Sequence, residues 1–226
     1  MTTPLTPSKG LNVLHLFCHV AGPVDRSVLH QALDDALARN LQVVTAAIMG
    51  AKADLCIMVL GEDLWDLRRL QTKVQAAGLV VSESYVSVTE VSEYAAGMPE
   101  QMLNARLYPT LPPSDMTAFC FYPMSKRRGE EHNWFALDYD ERDRLMREHG
   151  SSGKAFRGRV VQLVTGSTGL DDWEWGVTLF GVRPDDLKDC VYTMRYDEAS
   201  TLYGEFGPFY SGFIGDLDEV LDATSH

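Results

Sequence analysis

One feature limits the possible folds more than any other: a single order of predicted elements, strand–helix–strand–strand–helix–strand, occurs twice along the 226 residues. Periodicity and turn residues predict the four strands of the first half, at 11–20, 41–50, 53–62 and 79–94, the last of which alternates in polarity. Amphipathic spacing predicts its two helices, at 24–40 and 63–78. Gly78 follows the second helix at the position of a C′ glycine.

The second half repeats this order after a link that contains Met and Pro. Its predicted strands are 117–124, 159–167, 173–182 and 207–215, and its predicted helices are 138–150 and 183–204. The order is that of the ferredoxin-like fold. We therefore predict an α+β protein, a duplicated ferredoxin-like (βαββαβ twice) dimeric α+β barrel. Its parts are a structural first half at 1–97, a linker at 98–116 and a ligand-binding second half at 117–226.

Composition narrows the class of partner. The formal net charge of -12 argues against nucleic acid, because that role requires clustered Lys and Arg. An anionic small molecule stays possible, since a local basic pocket can oppose the overall charge. The four cysteines form no CxxC pair, and three of them lie in apolar, strand-like runs. With no signal-like or membrane-spanning segment evident, we predict a cytoplasmic protein without a membrane partner.

Two segments of the second half contain residues suited to binding or catalysis, and each also has a purely structural interpretation. Tyr122 ends a predicted strand that runs into Lys126, Arg127 and Arg128, which is a fair site for carboxylates or phosphates. A basic triplet alone is equally typical of a solvated loop. His149 precedes Gly150 at a predicted helix end, where it would either stabilise the helix dipole or ligate iron.

Several motifs in their order along the chain resemble the coproheme decarboxylase branch of the chlorite dismutase superfamily. They are FYPMSKRR, the following NW pair, REHG, TGSTGLDDWEWGVTLF, MRYDEAS and EFGPFY. The resemblance is strong over residues 106–214. It is weaker over residues 1–105, where the order of elements and the patch YAAGMPEQMLNARLYP support it.

The resemblance implies a homopentamer with haem in the second half, and it implies roles for named residues. His149 would be the proximal iron ligand, and Gln162 would lie above the opposite face of the iron. Tyr122 would be the redox-active tyrosine beside the first propionate to react, and Lys126 would bind the second. Other pocket residues would be Arg106, Arg195 and Ser200, which hold unreacted propionates, with Trp134, Trp175 and Lys154 beside the haem.

The implied activity is an oxidative decarboxylation that depends on hydrogen peroxide. Two propionates of iron coproporphyrin III (coproheme) become vinyl groups, which gives haem b in the last step of haem biosynthesis. The substrate thus acts as its own cofactor, and the ferrochelatase that makes coproheme is a further expected partner. Chlorite dismutases place an arginine where this chain has the neutral Gln162, so chlorite turnover is disfavoured.

Two other classes of function stay open. A haem carrier or sensor would keep His149 and the cations but would not need Tyr122. A haem-free barrel that binds or oxygenates a small molecule would not need the coherent set of carboxylate-binding residues. Two departures from the family pattern bear on activity: the chain reads NWFALD where relatives read NWYMLP, so Phe135 lacks a hydroxyl, and the link 107–121 is longer.

Overall fold

The structure, a computed structural model, describes residues 3–224. The elements of the first half are β1 (Asn12–His19), α1 (Arg26–Leu37), β2 (Gln42–Ile48), β3 (Leu55–Gly61), α2 (Leu64–Ala76) and β4 (Val80–Thr89). Gly78 has a φ of 102°, a left-handed conformation that glycine adopts at low cost, and it ends α2 as predicted.

The second half begins after a short helix, α3 (Glu100–Leu107). Its elements are β5 (Ala118–Lys126), α4 (Tyr139–Lys154), β6 (Val160–Gly166), β7 (Trp175–Gly181), α5 (Pro184–Met194), α6 (Glu198–Tyr203), β8 (Gly204–Phe206), β9 (Tyr210–Ile214) and α7 (Leu217–Thr224). Of the helices within residues 3–224, none has the length and apolar character that crossing a bilayer requires.

Eight of these strands close into one barrel. The order is β4-β1-β3-β2 in the first half and β9-β5-β7-β6 in the second, so each half has the ferredoxin-like arrangement. Antiparallel pairs between β2 and β9 and between β4 and β6 join the halves into a ring. The short β8 extends the sheet beyond β5, outside the ring. The predicted duplicated ferredoxin-like barrel is confirmed.

The two faces of the barrel wall have different roles. Alternate residues such as Phe119, Phe121 and Leu163 fill the interior. Outside, α1, α2 and α7 cover the first half. In the second half α5 covers β5 and β7, whereas the outer face of β6 exposes Gln162 and Val164. An open, partly apolar sheet surface therefore lies beside α4 and α5.

Several predicted boundaries are wrong. The helix predicted to end at Gly150 continues to Lys154, because Phe156 beyond it packs with Cys190 and Met194 of α5, and this packing outweighs the low helix propensity of glycine. His149 is thus inside α4, not at its C-terminus, which removes the dipole interpretation. The predicted helix 183–204 is two helices, and the predicted linker contains α3.

A glycine on β9 permits the close contact that completes the barrel. A β-carbon on Gly212 would overlap the carbonyl oxygen of Ala47 on β2. We expect Gly212→Ala to lower the free energy of unfolding by about 1–3 kcal/mol, as overpacking usually does. In the matched control Gly150→Ala, the new methyl meets open space on exposed helix, and we expect stabilisation of about 0.5–1 kcal/mol. Urea denaturation of both variants measures this difference, and equal effects would contradict it.

Candidate active site

Tyr122 lies on the outer face of β5, buried beneath α5. Its ring stacks on Phe209 with centroids 4.5 Å apart, and Phe206 lies 5.8 Å away. Burial raises the pKa of the Tyr122 phenol above its usual value. The phenol therefore keeps its proton at neutral pH and offers a hydrogen atom from an apolar environment.

Lys126 follows Tyr122 by four residues on the same face of β5 and is also buried. Its Nζ donates to the carbonyl oxygen of Ala199 at 3.1 Å and lies 4.4 Å from the ring centroid of Trp134. Burial lowers the pKa of Lys126 to about 8, although Asp197 and Glu174 oppose this shift. The ammonium group of Lys126 is therefore available to bind a carboxylate of a ligand.

His149 on α4 is oriented by a carboxylate. Its Nδ1 lies 2.9 Å from Asp197 Oδ2 and 3.5 Å from Ser200 Oγ. Burial disfavours the charge on Asp197, but the hydrogen bonds from His149 and Ser200 hold the pKa of this carboxyl below its usual value. Because Nδ1 is engaged, Nε2 is the atom available to a metal. Carboxylate–histidine pairs of this kind orient metal-binding imidazoles in proteins.

Asp197 is a hydrogen-bonding partner of the predicted ligand His149 that the sequence interpretation missed. Its second oxygen caps α6 by accepting from the Ser200 backbone N–H at 2.8 Å. One aspartate therefore begins the helix and fixes the histidine. Aspartate is a preferred N-cap residue and acidic residues favour the first turn, and the Asp-Glu pair in MRYDEAS was therefore a readable signal for a helix start.

Gln162 shares the outer face of the sheet with Tyr122. The register places Gln162 opposite Leu179 on β7, and Tyr122 opposite Val177. The apolar side chains of Val177 and Leu179 on β7 therefore lie between Tyr122 and Gln162. At the far end of the same face, Trp175 donates from Nε1 to Glu90 Oε1 at 2.9 Å.

Three other predicted site residues are exposed, and they lie in different parts of the structure: Arg195, Arg106 and Lys154. Arg195 is exposed at the end of α5, with its guanidinium carbon 5.2 Å from the Phe206 ring centroid. It lines a cavity of ≈ 610 Å³ together with Cys120 and Phe209. Arg106 is exposed on α3 and contacts the sulfur of Met98, and Lys154 is exposed in the last turn of α4.

Contacts therefore gather six of the predicted residues into two neighbouring groups. One contains Tyr122 and Arg195, which share Phe206 as a neighbour. The other is held together by α6, whose residues Ala199 and Ser200 contact Lys126 and His149. The members of this second group are Lys126, Trp134, His149 and Ser200.

The donor set fits an iron porphyrin that carries carboxylates. An oriented imidazole offers one nitrogen to the metal, and a buried cation and an arginine are matched to carboxylate groups. The exposed outer face of β6 offers an apolar surface with a neutral amide at Gln162. Because burial raises its pKa, the Tyr122 phenol suits hydrogen transfer better than ionisation.

Comparisons with known proteins identify the family of the chain. The chlorite dismutase family model matches residues 26–214. A coproheme decarboxylase of Staphylococcus carnosus (strain TM300) is 44% identical over 177 residues, which cover 74% of this chain and 70% of that protein. The predicted resemblance and the prediction that the chain is an enzyme are confirmed.

Solved structures extend the likeness to almost the whole chain. A haem-binding protein of Thermus thermophilus is 33% identical with a TM-score of 0.79, and the match covers 99% of this chain and 98% of that one. A chlorite dismutase of Candidatus Nitrospira defluvii, solved with imidazole, shares the fold at 21% identity, with a TM-score of 0.78 and 97% of each chain covered. The chain belongs to the chlorite dismutase family.

Proposed function

We propose that this protein converts coproheme into haem b by oxidative decarboxylation of two propionates with hydrogen peroxide, as the last step of haem biosynthesis. The observation that carries the proposal is the placement of a buried, protonated Tyr122 and a buried Lys126 on one sheet face with Gln162. The relative from Staphylococcus carnosus, a coproheme decarboxylase, supports it.

The reaction balances as a two-electron oxidation at each propionate. The β-carbon loses hydrogen, the bond to the carboxylate breaks, carbon dioxide leaves and a vinyl group remains. Hydrogen peroxide accepts the two electrons and becomes water. Iron in the bound substrate supplies the oxidising chemistry.

In this proposal Tyr122 gives up the hydrogen of its phenol to the peroxide-derived oxidant and then takes one from the β-carbon, and the same oxidant accepts the second electron as the carboxylate leaves as carbon dioxide. Lys126 holds the second reactive propionate and Arg195 holds an unreacted one, each through charge-assisted hydrogen bonds. His149 would bind the iron through Nε2.

The further parts of the proposal concern the rest of the pocket and the assembly. Arg106, Ser200 and Lys154 would contact unreacted propionates, and Trp134 and Trp175 would pack beside the porphyrin. We also propose a homopentamer in the cytoplasm that receives coproheme from ferrochelatase, with coproheme bound mainly by the second half at 117–226 and by Arg106 of the linker.

The direct test mixes purified apoprotein with coproheme, adds peroxide and follows porphyrin mass. We expect the masses of a three-propionate intermediate and then of haem b. A carrier or sensor would bind coproheme without any change in its mass, and a haem-free barrel would not bind it. Rapid chlorite consumption without bleaching, measured in parallel, would contradict the role given to the neutral Gln162.

The lowered pKa of Lys126 predicts how substrate affinity depends on pH. The charged form is present below about pH 8 and is lost as the pH rises through that value. We expect coproheme affinity to fall by about tenfold to a hundredfold across this transition, because a charge-assisted hydrogen bond contributes about 1.5–3 kcal/mol. Titrations of coproheme at neutral and alkaline pH measure it.

The Lys126→Gln variant should bind coproheme more weakly than wild type at neutral pH. Its affinity should not fall further as the pH rises through about 8. Lys9→Gln, which removes an exposed lysine that precedes β1 and has no role in the proposed site, is the control and should keep the wild-type profile. A pH profile that is the same in Lys126→Gln and wild type would show that another group titrates.

A further inference from the structure

The backbone of Lys126 lies where the sheet changes its pairing. The ladder between β5 and β7 ends with the pair Met124 and Trp175, two residues before Lys126. On the other edge of β5, the N–H of Arg127 donates to the carbonyl oxygen of Tyr203 at 2.7 Å. Because successive N–H groups of a strand point to opposite edges, the N–H of Lys126 points toward the end of β7. A buried N–H at this position requires an acceptor.

A carboxylate supplies that acceptor. Glu174 precedes β7, and its Oε2 accepts from the Lys126 N–H at 2.8 Å. Its other oxygen, Oε1, accepts from Arg128 Nη2 at 2.5 Å. The carboxylate is buried, whereas Arg128 is largely exposed and lies over the Phe135 ring at 4.5 Å. Glu174 therefore joins two members of the basic triplet after Tyr122 to the end of β7.

The ammonium group of Lys126 is held by uncharged partners. Nζ donates to the carbonyl oxygen of Ala199 and lies over the ring of Trp134. Neither contact supplies a negative charge, so the buried ammonium group depends on carboxylates in its surroundings. Burial lowers the pKa of Lys126, and Asp197 and Glu174 are the two acids that oppose this shift.

The titratable and charged groups around this ammonium group come from several elements. Asp197 begins α6 and is bound to His149 of α4. Tyr203, also of α6, packs against the ring over which the ammonium group lies. Glu174 comes from the turn before β7 and is bound to Arg128. Of the two acids, Glu174 is the one that can be changed without disturbing the proposed iron ligand.

We propose that Glu174 is a positioning residue for the proposed reaction: its carboxylate, held by Arg128, fixes the backbone from which Lys126 extends and supplies negative charge near the buried ammonium group. The inference deepens the proposed function and rests on it for the role of Lys126, which holds the second propionate to react. Glu174 acts through Lys126 and does not touch the substrate. Its effect therefore falls on the second decarboxylation.

Glu174→Gln separates charge from position. The amide oxygen still accepts from the Lys126 N–H, but the negative charge is gone. We expect Lys126 to lose its proton at a pH about one unit lower than in wild type, because a nearby opposite charge favours the ammonium form. NMR of isotope-labelled lysine side chains in the porphyrin-free protein follows this titration, and Lys126→Gln assigns the signal.

The matched control is Glu205→Gln. Glu205 and Glu174 line the same cavity of ≈ 290 Å³, and each pairs with one arginine of the basic triplet. Glu205 is exposed and lies 3.6 Å from Arg127, so solvent screens its charge. The titration of Lys126 in this variant should match that in wild type.

Glu174→Ala removes the acceptor as well as the charge. At mildly acidic pH, where Lys126 is charged in every variant, we expect it to convert the three-propionate intermediate roughly tenfold more slowly than wild type, because a displaced positioning group slows the reaction. Glu174→Gln should match wild type under these conditions and should accumulate the intermediate only as the pH rises. Mass measurements after additions of limited peroxide give both pH profiles.

Two results would overturn the proposal: an unchanged titration of Lys126 in Glu174→Gln, or wild-type conversion of the intermediate by Glu174→Ala. If Glu174→Ala does not fold, the pH profile of Glu174→Gln decides, and a profile that coincides with wild type overturns the proposal. The NMR titration uses no porphyrin. A shifted titration without any conversion of coproheme would therefore contradict the proposed function and support the action of Glu174 on Lys126.

Discussion

Tyr122→Phe should abolish nearly all conversion of coproheme while changing its binding little. The ring and its stacking on Phe209 stay, but the hydrogen atom that the proposed mechanism requires is gone. At most one hydrogen bond to a propionate is lost, worth about 0.5–3 kcal/mol depending on charge. We expect the rate to fall roughly thousandfold, equivalent to about 4 kcal/mol at the barrier. Single-turnover mass measurements after peroxide addition, beside an equilibrium titration, separate the two effects.

The matched control is Tyr203→Phe. Tyr203, on α6, is also a buried tyrosine of the second half. It packs against the ring of Trp134 and takes no part in the proposed chemistry. This variant should form haem b at close to the wild-type rate. If Tyr122→Phe forms haem b as fast as wild type, the hydrogen-transfer role of Tyr122 is wrong.

The barrel strands were predictable because their signals are local. Apolar runs bounded by turn residues, together with the alternation in β4, located all eight strands of the ring. Closure of the ring was harder to predict, since it depends on pairs between distant edges such as Val88 with Gly166 and Ala46 with Ile214. No local pattern encodes which edges will meet.

The missed helices and boundaries depend on weak or tertiary signals. Helix α3 buries no residue and has no side-chain cap, so neither periodicity nor capping marks it. The break between α5 and α6 was readable in principle, because Asp197 is a capping residue. The extension of α4 past Gly150 depends on packing against α5, which the local sequence does not show.

The residues of the candidate site also differ in how readily the sequence identifies them. Motif resemblance identified Tyr122, Lys126 and His149, which side-chain type alone left ambiguous. Two carboxylates that hydrogen-bond to predicted site residues, Asp197 to His149 and Glu90 to Trp175, escaped notice because their partners are distant in sequence. The Glu90–Trp175 contact spans 85 residues and exists only once β4 and β6 pair. Acids of this kind are recognised by their contacts, not by their sequence context.

Asp197→Asn should weaken iron ligation without unfolding the protein. Asparagine caps helices about as well as aspartate, so the bond from the Ser200 N–H to the side chain is retained. The negative charge that accepts the hydrogen bond from His149 is lost, and we expect coproheme affinity to fall by about 10–100-fold, as is typical when such a partner of a metal ligand is changed. The Fe–His stretching band should shift to lower frequency.

Asp138→Asn provides the matched control, because Asp138 caps α4 in the same way by accepting from the Glu141 N–H at 2.9 Å but does not touch His149. Its affinity and Fe–His band should equal those of wild type. His149→Ala should lose the band entirely, while coproheme still binds through its propionates, because those contacts do not depend on the axial bond. If Asp197→Asn keeps the wild-type Fe–His frequency, the carboxylate only caps α6 and does not affect the bond between His149 and the iron.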